Sequence, residues 1–201
     1  MKKLSVRSQY YLGVAVILLI CSVGASWYQY QNLRNQALTS IYKKTEIYLA
    51  TAASIRSYVK ETLRPKVSEL VSEDEFILEA MSTSFVSRQI MNNIKKSFPE
   101  FEYKRTALNP RNPINKADKF EEKMLLWFGA NKDKAQWSGM ISKHGRTYYS
   151  RMMPIKVEPE CLACHGSPEQ APRELQKLYG TERSFGYKVG AIAAADTIYI
   201  P

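Results

Sequence analysis

The sequence predicts an α+β protein in which a long N-terminal helix precedes a mixed domain with an antiparallel sheet. Three observations predict this class. No charged residue occurs from Ser8 to Leu33, and a helical pattern continues beyond this apolar stretch without a break. The second half of the chain then alternates strand-like segments and hairpin turns with short amphipathic segments. Strands and helices that mix in this way are typical of α+β folds.

The first element is a predicted transmembrane helix at residues 10–30. A bilayer core requires about 20 apolar helical residues, and this stretch provides them. Both ends carry the aromatic residues that are typical of membrane interfaces: Tyr10, Tyr11, Trp27, Tyr28 and Tyr30. Small residues at 22–26 leave a cleaved signal peptide as an alternative to an uncleaved anchor.

The charges before this helix predict its orientation. Lys2, Lys3 and Arg7 lie within residues 1–9, and positive residues beside a span favour the cytoplasmic side. We therefore expect a bacterial inner-membrane protein with a single span, a cytoplasmic N-terminus and a periplasmic main domain.

A helical stalk is predicted at residues 31–72. Apolar or small residues recur three and four positions apart, which is a heptad-like stripe: Leu38, Ile41, Thr45, Tyr48, Ala52, Ile55 and Val59. No Gly or Pro interrupts the pattern until Pro65, so one helix should run to about Leu63. The stripe could form the seam of a parallel homodimer or pack on its own domain, and the sequence leaves both alternatives open.

Residues 73–201 are predicted to form the mixed domain. The sequence "SEDE" (72–75) suggests the cap of a helix that runs from Glu73 to Ser97. Alternation and turn residues then predict the remaining elements in order: a strand at 101–108, a turn-rich loop at 109–118, a helix at 116–129, a hairpin of strands at 135–142 and 146–157, a short helix within 168–180, and a buried strand at 187–200.

The composition narrows the class of protein. A hydrophobic content of 45% supports a packed core, and the formal net charge is +10. In an exported domain such a basic balance fits anionic lipid, an acidic partner or the anionic groups of a cofactor better than nucleic acid. We expect no nucleic-acid partner.

The segment "ECLACHG" (160–166) contains two of the three cysteines and one of the two histidines of the chain. Cys-x-x-Cys-His is the attachment sequence of c-type haem. Two cysteines three positions apart lie on one side of a helical turn, so both sulfurs can reach the vinyl groups on one porphyrin edge. The next residue, a histidine, can then ligate the iron. The sequence therefore predicts one covalent haem c on Cys161, Cys164 and His165.

Two other interpretations of the motif remain open. Cys161 and Cys164 could form a disulfide in an oxidising compartment. Alternatively, the three residues could bind zinc, with His144 or a carboxylate as the fourth ligand.

Three blocks of the sequence resemble a known family: "RTALNPRNPINKAD", "YYSRMMPIKVEPECLACHGSPEQAP" and "YGTERSFGYKVGAIAAA". Together they are similar to the c-type-haem PAS-like sensor domains, which occur alone or ahead of histidine kinases, cyclases and chemoreceptors. The resemblance covers about residues 73–201. It implies a PAS-like antiparallel sheet with flanking helices, a covalent haem, and redox or gas sensing.

The resemblance also implies roles for residues. Cys161 and Cys164 match the thioether cysteines, and His165 matches the proximal iron ligand. Further residues fall in the signature blocks without an assigned contact: Arg105, Asn109, Arg111, Asn112 and Arg151.

The second axial ligand departs from the family pattern. A family member is described with cysteine in this position, whereas the only other cysteine here, Cys21, lies in the predicted membrane helix. A thioether also suits low-spin haem iron. The sixth position could be open, filled by water or taken by a side chain. Met81 is our candidate distal ligand, and the other side-chain candidates are Met91, Met152, Met153 and His144.

The function expected from these features is a membrane-anchored periplasmic haem sensor of redox state or a diatomic gas. Few residues precede the span, so we expect signalling through a partner protein. The alternative is a single-haem cytochrome for electron transfer. The sequence contains no evident catalytic triad, paired carboxylates or phosphate loop, so we expect no enzyme.

Overall fold

The computed structural model describes residues 5–201 and divides into two compact units. The first extends to Lys44 and the second is Thr45–Pro201. Lys2 and Lys3, on which the predicted orientation partly depends, lie outside the described residues. The orientation therefore stays a prediction.

Helix α1, Val6–Tyr58, begins in the apolar stretch. It is long and apolar enough to cross a membrane. Most of its side chains before Lys44 are exposed, including Leu19 and Trp27. An apolar helix with an unburied surface is compatible with a single-pass membrane anchor.

The helical path continues beyond α1 and passes Pro65. A π-helical segment at Val59–Leu63 leads into α2, Arg64–Ser68. Proline lacks an N–H group and its ring clashes with the carbonyl four residues earlier, so a regular α-helix cannot accommodate it without distortion. The wider π turn before Pro65 is the kind of adjustment that lets a helix continue. The expected single helix to about Leu63 is thus present with a π distortion.

The heptad-like stripe is partly used within the second unit. Thr45 and Ala52 are fully buried and Val59 is 1% exposed. These positions pack on their own domain and are not available as the seam of a coiled coil. A homodimer remains a prediction.

The predicted helix from Glu73 to Ser97 is interrupted in the structure, so its N-terminal part is a correction. Residues 69–77 form turns and bends, followed by α3, Leu78–Met81, and α4, Thr83–Ser97. The cap of α4 is Ser82, whose side chain accepts from the Phe85 amide at 3.2 Å. Ser72 instead makes a local turn in which its amide donates to the Glu75 carboxylate at 3.1 Å. The residue types that cap helices also occur in turns. The "SEDE" segment therefore has the composition of a helix start although it forms a turn.

The domain contains one four-stranded antiparallel sheet, which confirms the predicted α+β class. The strands are β1 (Glu102–Ala107), β2 (Trp137–Lys143), β3 (Arg146–Lys156) and β4 (Ile192–Ile200). Their order is β1-β4-β3-β2. Strand β4 therefore lies between β1 and β3, which explains its largely apolar sequence and its buried C-terminal half.

The remaining helices flank this sheet and lie at its connections. They are α5 (Lys119–Ala130), α6 (Leu162–His165) and α7 (Arg173–Tyr179), with short 3-10 turns at Pro113–Asn115, Pro159–Cys161 and Pro168–Gln170. A capping box of Asp118 and Glu121 begins α5. Leu125 and Phe128 of this helix pack with Met152 of the sheet in the main core.

Candidate functional site

The Cys-x-x-Cys-His segment lies directly after the central hairpin. The chain leaves β3 at Lys156, forms the 3-10 turn at Pro159–Cys161 and enters α6. Cys161, Cys164 and His165 all line one cavity of about 700 Å³. This volume lies within the range of small-molecule and cofactor sites. The structure therefore brings the three predicted site residues together at one surface.

The imidazole of His165 is held in one tautomer. Its Nδ1 lies 2.7 Å from the carbonyl oxygen of Ser184, and a carbonyl only accepts, so Nδ1 carries the proton. Burial, reinforced by the nearby Arg111 charge, lowers the pKa of His165 to about 4. The ring is thus neutral at pH 7 and its Nε2 lone pair is available to a metal. A metal-binding histidine is typically oriented by this type of hydrogen bond.

Contacts of Ser184 hold its carbonyl oxygen, the acceptor for His165, in position. Ser184 has a positive φ of 58°, which is uncommon for a residue with a side chain. Its hydroxyl donates to the Asn109 carbonyl at 2.7 Å and accepts from the Tyr187 hydroxyl at 3.3 Å. The Tyr187 ring also stacks on His165, with 5.1 Å between ring centroids and 9° between planes. These contacts hold the imidazole orientation.

The backbone at His165 and Gly166 is hydrogen-bonded to the segment that follows Ser184. The Gly186 amide donates to the Gly166 carbonyl at 2.7 Å, and the Tyr187 amide donates to the His165 carbonyl at 3.0 Å. A Cβ atom added to Gly166 would lie 2.6 Å from the Leu162 carbonyl oxygen. Because that neighbour is backbone, a larger residue would displace α6. Glycine is therefore required here by close packing.

The cysteines are free thiols, and no disulfide joins Cys161 to Cys164 in the described chain. Burial raises the pKa of Cys164. Within residues 5–201 there is no group of three or more His, Cys, Asp or Glu that could hold a metal ion. The disulfide and zinc interpretations stay alternatives to the haem prediction.

Basic side chains predominate on the cavity wall. Acidic residues in the lining are Glu61, Asp133, Glu158 and Glu160, and Glu158 is paired with Lys60. The basic residues are Arg56, Lys60, Arg64, Arg88, Arg105, Arg111, Lys134 and Lys156. The Nε of Arg111 is buried without a hydrogen-bond partner among the described residues. An anionic ligand suits this lining.

Of the five candidate distal residues, Met81 and Met153 line the cavity. Met81 is 7% exposed and its sulfur accepts from the Ile77 amide at 3.3 Å. Met91 and Met152 are buried outside the lining, and Met152 belongs to the main core. His144 occupies the β2–β3 turn with a φ of 51°.

The residues from the signature blocks divide into two groups. Arg105, Arg111 and Asn112 line the cavity, and the Asn109 carbonyl supports Ser184. Arg151 lies outside the lining, where its Nε donates to the Gln136 side chain at 3.0 Å.

A charged cluster beside the cavity was missed by sequence reasoning. Asp196 of β4 contacts Arg105 of β1, Tyr103 of β1 and Arg56 of α1. A signal for it was present, because Asp196 is the only charged residue in the apolar segment "AIAAADTIYI". A lone carboxylate in a buried strand requires a cationic or hydrogen-bonding partner.

The fold and the site together define a PAS-like domain whose cavity is lined by a Cys-x-x-Cys-His segment. The sequence profile of the Tll0287-like family matches residues 34–201. The chain belongs to this Tll0287-like family, which confirms the suspected relationship.

A comparison of structures agrees with this assignment. The crystal structure of the cyanobacterial haem protein Tll0287 superimposes with a TM-score of 0.65 and 18% sequence identity. The match covers 81% of this chain and 95% of that chain. At this identity it shows a shared fold. No curated protein sequence matches the chain.

Proposed function

We propose that the domain binds one covalent haem c through thioethers to Cys161 and Cys164, with His165 as the proximal iron ligand. The observation that carries this proposal is the His165–Ser184 hydrogen bond, which leaves the lone pair on Nε2 of a ring that lines the same cavity as both cysteines. The relationship to a haem protein supports the same cofactor.

The cavity residues fit such a group. Apolar side chains from several elements suit a porphyrin face, and the excess of arginine and lysine suits its carboxylates. When bound, haem would supply an iron that changes oxidation state or takes a diatomic ligand. The protein would hold the imidazole, shield the iron from water and set the charge around it.

The role we propose is a membrane-anchored sensor of redox state or a diatomic gas that acts through a partner protein and is not an enzyme. The apolar part of α1 would anchor it in the inner membrane, with the domain in the periplasm. The second candidate is an anchored electron carrier. The presence of Met81 in the lining favours this candidate, because His/Met iron is typical of electron-transfer cytochromes.

The decisive experiment is purification from a host that makes c-type cytochromes, followed by oxidised and reduced absorption spectra. A pyridine haemochrome of the thioether type is expected. Cys161→Ala and Cys164→Ala should each shift this band because one vinyl group remains free. A colourless protein, or unshifted bands in both variants, would contradict the assignment.

Carbon monoxide titration of the reduced protein separates the two roles. Prompt binding at a five-coordinate or weakly ligated iron is expected for a gas sensor. A reduced spectrum that carbon monoxide leaves unchanged would favour the electron carrier. Light scattering in detergent tests the homodimer.

A further inference from the structure

A buried charge cluster joins three elements at the cavity. Asp196 is 1% exposed; it accepts from Arg105 Nε at 2.9 Å and from the Tyr103 hydroxyl at 2.7 Å, and it is paired with Arg56. Arg56 and Arg105 both line the cavity. The Nη2 of Arg105 also donates to the Tyr103 hydroxyl at 3.3 Å. The cluster thus places two arginines at the wall of the cavity.

The charges of this cluster do not balance. Burial alone would raise the pKa of Asp196, but Arg105 and Arg56 outweigh it and lower that pKa, so the carboxylate is ionised. Two cations then face one anion, and Arg105 is only 9% exposed. A buried charge is costly unless it is paired. The surplus positive charge is therefore suited to an anionic group in the cavity.

The sheet register places this surplus away from the cysteines. Arg105 pairs with Asp196, which pairs with Met153 of β3. Val157 follows four residues later, at the approach to the motif, so the separation along the strand is roughly 13 Å at 3.3 Å per residue. Between the two ends the cavity is lined by the small residues Ala107 and Ala194, which are paired neighbours.

The separation between the cysteines and the charge cluster matches the positions of the substituents on haem. The two vinyl groups lie on one edge of the porphyrin and the two carboxylates lie on the opposite edge. Thioethers at Cys161 and Cys164 would therefore direct the carboxylates away from α6. Arg111 donates to the Cys164 carbonyl through Nη2 and Arg64 donates to the Met81 carbonyl through Nε, so these two arginines are held beside the motif and α3.

We infer that Arg56 and Arg105 bind a carboxylate of the haem, and that Asp196 holds the two guanidinium groups in position. This inference rests on the proposed function. It assigns Asp196 a positioning role and makes Arg56 a contact between α1 and the cofactor.

Resonance Raman spectra of the purified haem-loaded chain test the inference through the bending bands of the haem propionates. Arg56→Gln and Arg105→Gln should each shift these bands because a charge-assisted hydrogen bond is lost. Arg173→Gln is the matched control. Arg173 is 78% exposed, pairs with Asp74 and lies outside the cavity lining. The bands of this variant should match those of the parent protein.

Two outcomes overturn the inference: unchanged bands in both cluster variants, or a shift in the Arg173→Gln control alone. If Arg105→Gln does not fold, the double variant Arg105→Gln/Asp196→Asn removes the opposed charges together and should show the same shift. The two proposals fail separately. A chain without thioether-linked haem contradicts the proposed function, whereas a haem-loaded chain with unmoved bands contradicts only the carboxylate contacts.

Discussion

Replacing Asp196 with alanine is expected to destabilise the domain strongly. The substitution removes the carboxylate that joins β4 to β1 and α1 through Arg105, Tyr103 and Arg56. Arg105 would stay buried and lose the carboxylate that pairs with it in the described part of the chain.

The magnitude follows from the burial of the partners. Removing one member of a buried ion pair costs about 3–5 kcal/mol. Arg56 is 23% exposed, so water can solvate its charge when the carboxylate is removed. Arg105 is only 9% exposed and therefore accounts for most of the loss in free energy of unfolding. For a domain of this size, about 2–4 °C of Tm is lost per kcal/mol, which gives a decrease of roughly 6–20 °C.

The same site predicts a dependence on pH. The pKa of Asp196 in the folded protein lies below its unfolded value, so its contribution is present above the unfolded pKa of about 3.9 and is lost as pH falls through the folded pKa. Asp196→Asn keeps the side-chain shape but cannot titrate. The stability of this variant should therefore depend less on pH below about pH 4.

Denaturant unfolding of the purified haem-loaded chain, followed by tryptophan fluorescence, measures both effects. Glu69→Ala is the control, since Glu69 forms an exposed pair with Lys66. That variant should change the free energy of unfolding by less than about 0.5 kcal/mol. A loss under about 1 kcal/mol for Asp196→Ala would refute the reasoning that the cluster is desolvated and coupled.

Three further predictions concern the cavity and its supporting helices. Met81→Leu conserves volume and should cost less than about 1.5 kcal/mol, yet it should change the reduced spectrum if the thioether binds iron; Met91→Leu, outside the lining, should leave that spectrum unchanged. Ser82→Ala removes the cap of α4 and should cost about 1 kcal/mol, measured as a decrease in Tm; an unchanged Tm would contradict the capping role. Asp118→Ala removes the α5 capping box and the 3.2 Å contact with Lys143, and should cost about 1–2 kcal/mol in denaturant unfolding; a smaller loss than that of Ser82→Ala would show that the box contributes little.

Most of the fold could be predicted from the sequence because its patterns are local. Alternation and turn residues located the four strands, and Gly145 in the "KHG" turn has the positive φ that a tight hairpin requires. The α4 start was predicted wrongly because "SEDE" at 72–75 carries the same residue types as the true cap at Ser82. Local chemistry cannot choose between two such positions when tertiary packing decides.

From residue spacing alone, the candidate site could be predicted only where its residues are neighbours in sequence. The family resemblance pointed to Arg105, Arg111 and Asn112, which also line the cavity. Cys161, Cys164 and His165 share one short motif, and its spacing alone indicates the chemistry. Ser184 and Asp196 contribute through contacts with residues 19 and 91 positions away, His165 and Arg105. The Asp196–Arg105 pairing depends on the sheet register, and the Ser184–His165 contact depends on how the segment after α7 packs on α6. No local pattern specifies either.

The two proposed roles make different demands on Met81, whose sulfur accepts from the Ile77 amide in this structure. An electron carrier requires a stable iron–thioether bond in both oxidation states, so its spectrum should be the same with and without carbon monoxide. A gas sensor requires a sixth position that is open or held by a ligand that can be displaced. In the second case the Ile77 amide would give the Met81 sulfur another partner. If carbon monoxide binds to Met81→Leu faster than to the parent protein, the result would support displacement of Met81 in the parent protein. Binding at the same rate in both would show that Met81 does not occupy the sixth position, and the distal assignment would then be wrong.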